Sequence, residues 1–143
     1  MNVIDLIPHL TGECLRYNSA IFFDTETKMW FNHEGVNIRP HLFGETQGVE
    51  YLTPVVKKES QYLKTLVDYF VGVGYVRGLS IRGAPYDFRL GVQELIENGW
   101  MDSLKGLVEN TYEINNRTKV HLFGHSLGGP LGSFFLGKIV SAE

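Results

Sequence analysis

Cysteine is almost absent: Cys14 is the single one in 143 residues. This excludes a disulfide within these residues and any zinc site built on several cysteines. No apolar run approaches the ~18 residues that mark a membrane-spanning helix. Positive charge is not in excess, since 13 Lys and Arg face 16 Asp and Glu for a formal net charge of −3. There is no basic stripe for a phosphate backbone, so no nucleic-acid partner is expected. The five histidines form no H-E-x-x-H motif, and neither a metal nor another cofactor is expected. The opening Met1-Asn2-Val3-Ile4-Asp5-Leu6 lacks a basic segment and carries an early acid, unlike a signal peptide. There is no internal repeat and no low-complexity tract.

With 43% hydrophobic and 20% charged residues, the chain has the composition of a folded domain with a core. Its texture changes along its length. Residues 1–56 read as an irregular region holding a β-hairpin, with Ala20–Phe23 and Lys28–Phe31 flanking the polar loop Asp24–Thr27. Val36–Arg39 and Gly48–Leu52 are short extended candidates. Residues 57–143 show longer periods. Leu63, Leu66, Val67, Phe70 and Val71 predict a helix over 58–72, stopped by Gly72 and Gly74. Leu104, Leu107, Val108 and Tyr112 predict another over 102–114, capped by Asp102 or Ser103. Leu131, Phe134, Phe135 and Ile139 mark a final helix over 128–141. Strands are expected at Leu79–Arg82 and Lys119–Phe123. Helices alternating with strands predict an α/β fold with a partial parallel sheet and right-handed crossovers.

Gly124-His125-Ser126-Leu127-Gly128 is G-x-S-x-G, set between an expected strand and an expected helix. This is the context of a nucleophile elbow. Ser126 must occupy a strained turn that lifts its Oγ clear of the sheet. Gly124 and Gly128 must be small because the chain closes on itself there. The backbone N–H of Leu127, at the helix start, then faces a developing oxyanion. The competing reading is a structural glycine-rich turn. His125 adjoins the serine and is expected to line or underlie the pocket rather than act as its base. His121 reads as a core or edge histidine, and Pro130 suits the first turn of a helix.

Ala84-Pro85-Tyr86-Asp87-Phe88-Arg89 leaves the end of an expected parallel strand, where α/β sheets place their sites. Taken alone, it is a turn with a local Asp87–Arg89 ion pair. Tyr86, Asp87 and Arg89 are assigned a structural role bordering the site.

Arg82-Gly83-Ala84-Pro85-Tyr86-Asp87-Phe88-Arg89 followed by Gly124-His125-Ser126-Leu127-Gly128-Gly129 resembles the lecithin:cholesterol acyltransferase family, which includes lysosomal phospholipase A2-like enzymes of group XV. Gly35-Val36-Asn37-Ile38-Arg39, Phe43-Gly44-Glu45-Thr46 and Val49-Glu50-Tyr51-Leu52 are similar to further stretches of that family. His41-Leu42 stands where the family has Pro-Gly, and Thr53 where it has Asp. The likeness covers about residues 10–140.

The resemblance implies an α/β-hydrolase fold and Ca²⁺-independent lipid acyl chemistry. Ser126 would attack a glycerophospholipid ester, and the acyl-enzyme would pass its acyl group to an alcohol or to water. Contact with a membrane or lipoprotein surface is implied, and Trp30, Phe31, Leu6 and Leu10 are candidates for it. So is a secretory route to the lysosome or the exterior, with which the sequon Asn116-Arg117-Thr118 agrees. Hydrolases of this fold order their triad Ser, Asp, His, yet no Asp or His follows Ser126. The expectation is therefore a chain incomplete for catalysis. The triad acid and base would lie beyond Glu143, and a second oxyanion donor and a disulfide partner for Cys14 before Met1. Two alternatives compete with a serine-dependent phospholipase or O-acyltransferase. One is a non-catalytic, truncated lipid-binding remnant. The other is a generic α/β-hydrolase esterase, against which the A-P-Y-D-F-R segment argues.

Overall fold

The structure, a computed structural model, describes residues 13–53 and 56–140, with side chains from residue 16 onward. Leu6, Leu10 and the side chain of Cys14 lie outside the described residues. The chain divides into two compact units, Met1–Arg39 and Pro40–Glu143.

The first unit holds helix α1 (Glu13–Ser19) and the antiparallel pair β1 (Ile21–Asp24) and β2 (Met29–Asn32). The expected hairpin forms, one residue later in each strand, with Asp24 opposite Met29 and Ile21 opposite Asn32. Asp24 fixes the turn: its carboxylate accepts the Glu26 N–H at 2.8 Å and the Thr27 hydroxyl at 3.0 Å. Of the cross-strand pairs, Phe22–Phe31 stacks at a centroid distance of 5.9 Å and Phe23–Trp30 meets at a tilt at 5.3 Å. Val36–Arg39 forms no strand.

The second unit begins with a short helix α2 (Gln47–Glu50), which replaces the extended segment expected from Gly48. The cause is close packing rather than propensity. A Cβ on Gly48 would stand 2.5 Å from the His41 carbonyl oxygen, and one on Gly83 would stand 2.6 Å from that of Glu45. The segment 41–50 can therefore coil tightly against 82–85 only with glycine on both sides. Helix α3 (Lys64–Gly72) starts six residues later than expected, because residues 57–60 form a turn in which the Ser60 hydroxyl donates to the Thr53 carbonyl at 3.0 Å. Its end obeys the glycine signal. Gly74, at φ +107°, lets the Tyr75 N–H reach the Phe70 carbonyl at 3.0 Å and its own N–H reach that of Val71 at 3.1 Å.

Sequence periodicity missed helix α4 (Val92–Glu97). Gly99, at φ +77°, ends it and opens α5 (Trp100–Ile114). The N-cap position falls on Gly99 rather than on Asp102 or Ser103, and the Asn98 carboxamide oxygen accepts the Trp100 N–H at 3.0 Å. Helix α6 (Gly128–Phe134) runs directly into a π-helical turn, Phe135–Val140. Leu95, Met101, Leu104, Leu131 and Phe135 are the buried core of this unit, with Ala84, Tyr86, Val108, Phe134 and Ile139 packed around them. Helix α5 thus packs on the π-helical turn through Phe135, and α6 adds Leu131 to the same cluster.

The expected parallel pairing of Leu79–Arg82 with Lys119–Phe123 is absent: the one ladder among the described residues is β1–β2. Residues 78–80 form a turn, and Ile81 makes only an isolated parallel bridge to Arg77. Lys119–Phe123 carries no turn or helix and is largely exposed, Phe123 at 66%. A parallel strand is stabilised by ladders and by cover on both faces, and this segment has neither among the described residues.

Candidate nucleophile elbow

Ser126 has φ +53°, a left-handed conformation that costs a residue with a Cβ about 1–2 kcal/mol. Two hydrogen bonds hold it there. The Gly128 N–H donates to the His125 carbonyl at 2.9 Å, and the Gly129 N–H donates to the Ser126 carbonyl at 3.0 Å. Helix α6 begins immediately, with Leu127 as its N-cap residue at φ −55°. Ser126 and Leu127 are both exposed.

The closing of the chain on itself is explicit. A Cβ on Gly124 would lie 2.3 Å from the Gly128 carbonyl oxygen and 2.7 Å from the Gly129 nitrogen. A Cβ on Gly128 would meet nothing within 4 Å. The two glycines are therefore not equivalent: the side chain is excluded at Gly124, by the backbone of Gly128.

His125 is exposed and pairs with Tyr62, 63 residues away. The Tyr62 hydroxyl bonds to His125 Nδ1, and the rings meet edge to face at 5.3 Å. Helical periodicity, which picks out Leu63, Leu66 and Val67, carries no signal for Tyr62. His121 is exposed, so it is not a core residue.

The segment after Gly83 supports the elbow through the core. Tyr86 packs on the cluster that holds Leu131 and Phe135, and its ring meets Trp100 edge to face at 5.5 Å. Trp100 Nε1 donates to the Pro85 carbonyl at 2.9 Å. Burial raises the Tyr86 hydroxyl above its ordinary value. Asp87 and Arg89 form a forked pair, with Nε to Oδ1 at 2.8 Å and Nη2 to Oδ2 at 2.6 Å, and side-chain exposures of 12% and 7%. Burial alone would push the Asp87 carboxyl up. The Arg89 guanidinium and backbone N–H, both donating to it, outweigh that and hold it below the ordinary carboxylate value. Among the described residues, no hydrogen bond joins Ser126 to Asp87 or Arg89. No cluster of three or more His, Cys, Asp or Glu that could hold a metal ion occurs among them either. No described helix is long and apolar enough to cross a membrane.

The sequence is similar to proteins named as lipid acyltransferases and phospholipases over almost its whole length. The family model described as lecithin:cholesterol acyltransferase matches residues 3–143. A phosphatidylcholine-sterol acyltransferase of Gallus gallus is 38% identical over 124 residues, covering 87% of this chain and 29% of the relative. A lysosomal phospholipase A and acyltransferase of Mus musculus is 32% identical over 136 residues, covering 94% of this chain and 32% of the relative. A lecithin-cholesterol acyltransferase-like 1 protein of Arabidopsis thaliana is 33% identical over 131 residues, covering 87% of this chain and 30% of the relative. The chain thus spans about three tenths of the length of these curated relatives.

Proposed function

Because the chain belongs to the lecithin:cholesterol acyltransferase family, which implies an α/β-hydrolase-like fold, we propose that it carries the nucleophile of a serine-dependent lipid acyl transfer or hydrolysis. The observation that carries this reading is the left-handed Ser126 between Gly124 and the start of α6. Oγ adds to the carbonyl carbon of a glycerophospholipid ester, the lysolipid leaves, and an alcohol or water takes the acyl group from the serine. Leu127 N–H is the assigned donor to the oxyanion. Asp87 and Arg89 are assigned to the frame beside the site, fixing the Pro85–Leu90 turn.

The substrate class follows from the relatives, which are acyltransferases and phospholipases by name. The name of the lysosomal relative supports a secretory route to the lysosome, and the proposal extends to an exterior destination and to a lipid surface as the place of action. The reading includes a parallel sheet in which Lys119–Phe123 pairs with strands outside the described residues. By the Ser, Asp, His order, the acid and base come from the part of the relatives that this chain does not cover.

The test compares two proteins on phosphatidylcholine vesicles, at acidic and neutral pH. One is the 143-residue chain. The other is a form extended to the relatives' full length. Without a base the serine loses ~10²–10⁴-fold in rate, so the short chain should turn over far more slowly. The extended form should lose activity on Ser126→Ala by several orders of magnitude, as nucleophile removal does in serine hydrolases. An extended Ser126→Ala protein with full activity overturns the nucleophile. Equal rates for the two lengths overturn the placement of the base.

A further inference from the structure

The turn that follows α5 holds two adjacent asparagines that the elbow does not use, and the structure separates them sharply. Asn115 is occupied: its carboxamide nitrogen donates to the Leu79 carbonyl at 2.9 Å and to the Thr111 carbonyl at 2.8 Å. Asn116 is exposed, and its carboxamide has no hydrogen-bond partner among the described residues. Asn116 and Arg117 stand at φ +54° and +58°, a left-handed pair that asparagine tolerates better than most residues. The turn is held from below, by the Arg117 N–H to the Tyr112 carbonyl at 2.9 Å and the Thr118 N–H to the Asn115 carbonyl at 3.1 Å. Thr118 is exposed as well.

We propose that Asn116 is an N-glycosylation site. The residues Asn116-Arg117-Thr118 meet the N-x-T requirement. The fold also leaves the acceptor nitrogen facing water, at a turn whose stability does not depend on it. The proposal rests on the secretory reading above. In the transfer, Asn116 Nδ2 bonds to the anomeric carbon of an oligosaccharide carried on a polyprenyl diphosphate. The anomeric carbon–phosphate oxygen bond breaks, the polyprenyl diphosphate leaves, and the amide proton passes to base. No oxidation or reduction occurs.

The glycan is compatible with the elbow. The six steps from Thr118 to Gly124 contain no turn, so at ~3.3 Å per residue they can span on the order of 20 Å. The sugar and the nucleophile then sit at opposite ends of Lys119–Phe123.

The experiment translates the full 143-residue chain behind a cleavable secretory leader into microsomes. A single species of reduced mobility should appear and collapse on peptide-N-glycosidase treatment. That treatment in ¹⁸O-water should leave labelled aspartate at position 116. Asn116→Gln and Thr118→Ala should each abolish the shift, while Thr118→Ser and Asn115→Gln should keep it. Addition occurs on the nascent chain, so a folding defect in a variant does not obscure the result. An unshifted wild-type chain, or a shift that survives Asn116→Gln, overturns the site. Glycan-free protein recovered from its own cells, with a glycosylated product in microsomes, overturns instead the secretory route.

Discussion

The carbonyl oxygen of Gly128 occupies the space that a side chain on Gly124 would need, 2.3 Å from the position of its Cβ. This contact makes the elbow a turn that only one residue type can enter, and it sets an asymmetry that the symmetrical motif hides.

In the form extended to the relatives' full length, Gly124→Ala should open the turn and sharply reduce covalent labelling of Ser126 by a fluorophosphonate, at a stability cost of about 1–3 kcal/mol. Gly128→Ala, with open space at its Cβ, should label at close to the wild-type rate. Labelling of Gly124→Ala at the wild-type rate would show that the clash at Gly124 is relieved in solution.

Tyr62→Phe keeps the ring that meets His125 edge to face and removes only the hydroxyl. In the tautomer where the Tyr62 hydroxyl donates to Nδ1, the His125 imidazole carries its proton on Nε2. Long-range ¹H–¹⁵N spectra should show that tautomer in the wild type and a mixture in the variant. Labelling of the adjacent Ser126 should slow a few-fold. An unchanged spectrum would mean that the pair does not persist.

Asp87→Asn should make stability less dependent on acid. The Asp87 carboxyl titrates below its ordinary value in the folded chain. Its contribution is therefore present above the unfolded-state value of ~3.9 and is lost as pH falls through the lower folded value. Urea midpoints should place the wild type above the variant at pH 7, and the gap should narrow as pH falls below the unfolded-state value. A gap that widens on acidification would reverse the sign of the argument.

Phe135→Ala should cost about 3–5 kcal/mol, because Phe135 is fully buried where α6 passes into its π-helical turn. Leu136→Ala, at a position 50% exposed, should cost far less. Thermal melts of the two variants, compared with the wild type, decide it.

The sequence alone determined the features that arise within a few residues of one another. The hairpin followed from two apolar runs around Asp24–Thr27, the end of α3 from Gly74, and the inward positions of Leu104, Leu131 and Phe135 from their helical spacing. The tight turn at Ser126 was legible, because Gly124, Ser126 and Gly128 act on their own backbone, while its role as a nucleophile elbow belongs to the proposal. The tertiary structure decided everything that depends on residues far apart in the chain. Tyr62 reaches His125 across 63 positions, and no periodicity encodes that meeting. The coil at Gln47–Glu50 exists because Gly48 and Gly83 admit neighbouring backbone that any Cβ would repel. Lys119–Phe123 reads as a strand by its residues but has no ladder among the described residues, because strand pairing needs a second segment in register. Propensity can supply the extended shape and never the partner.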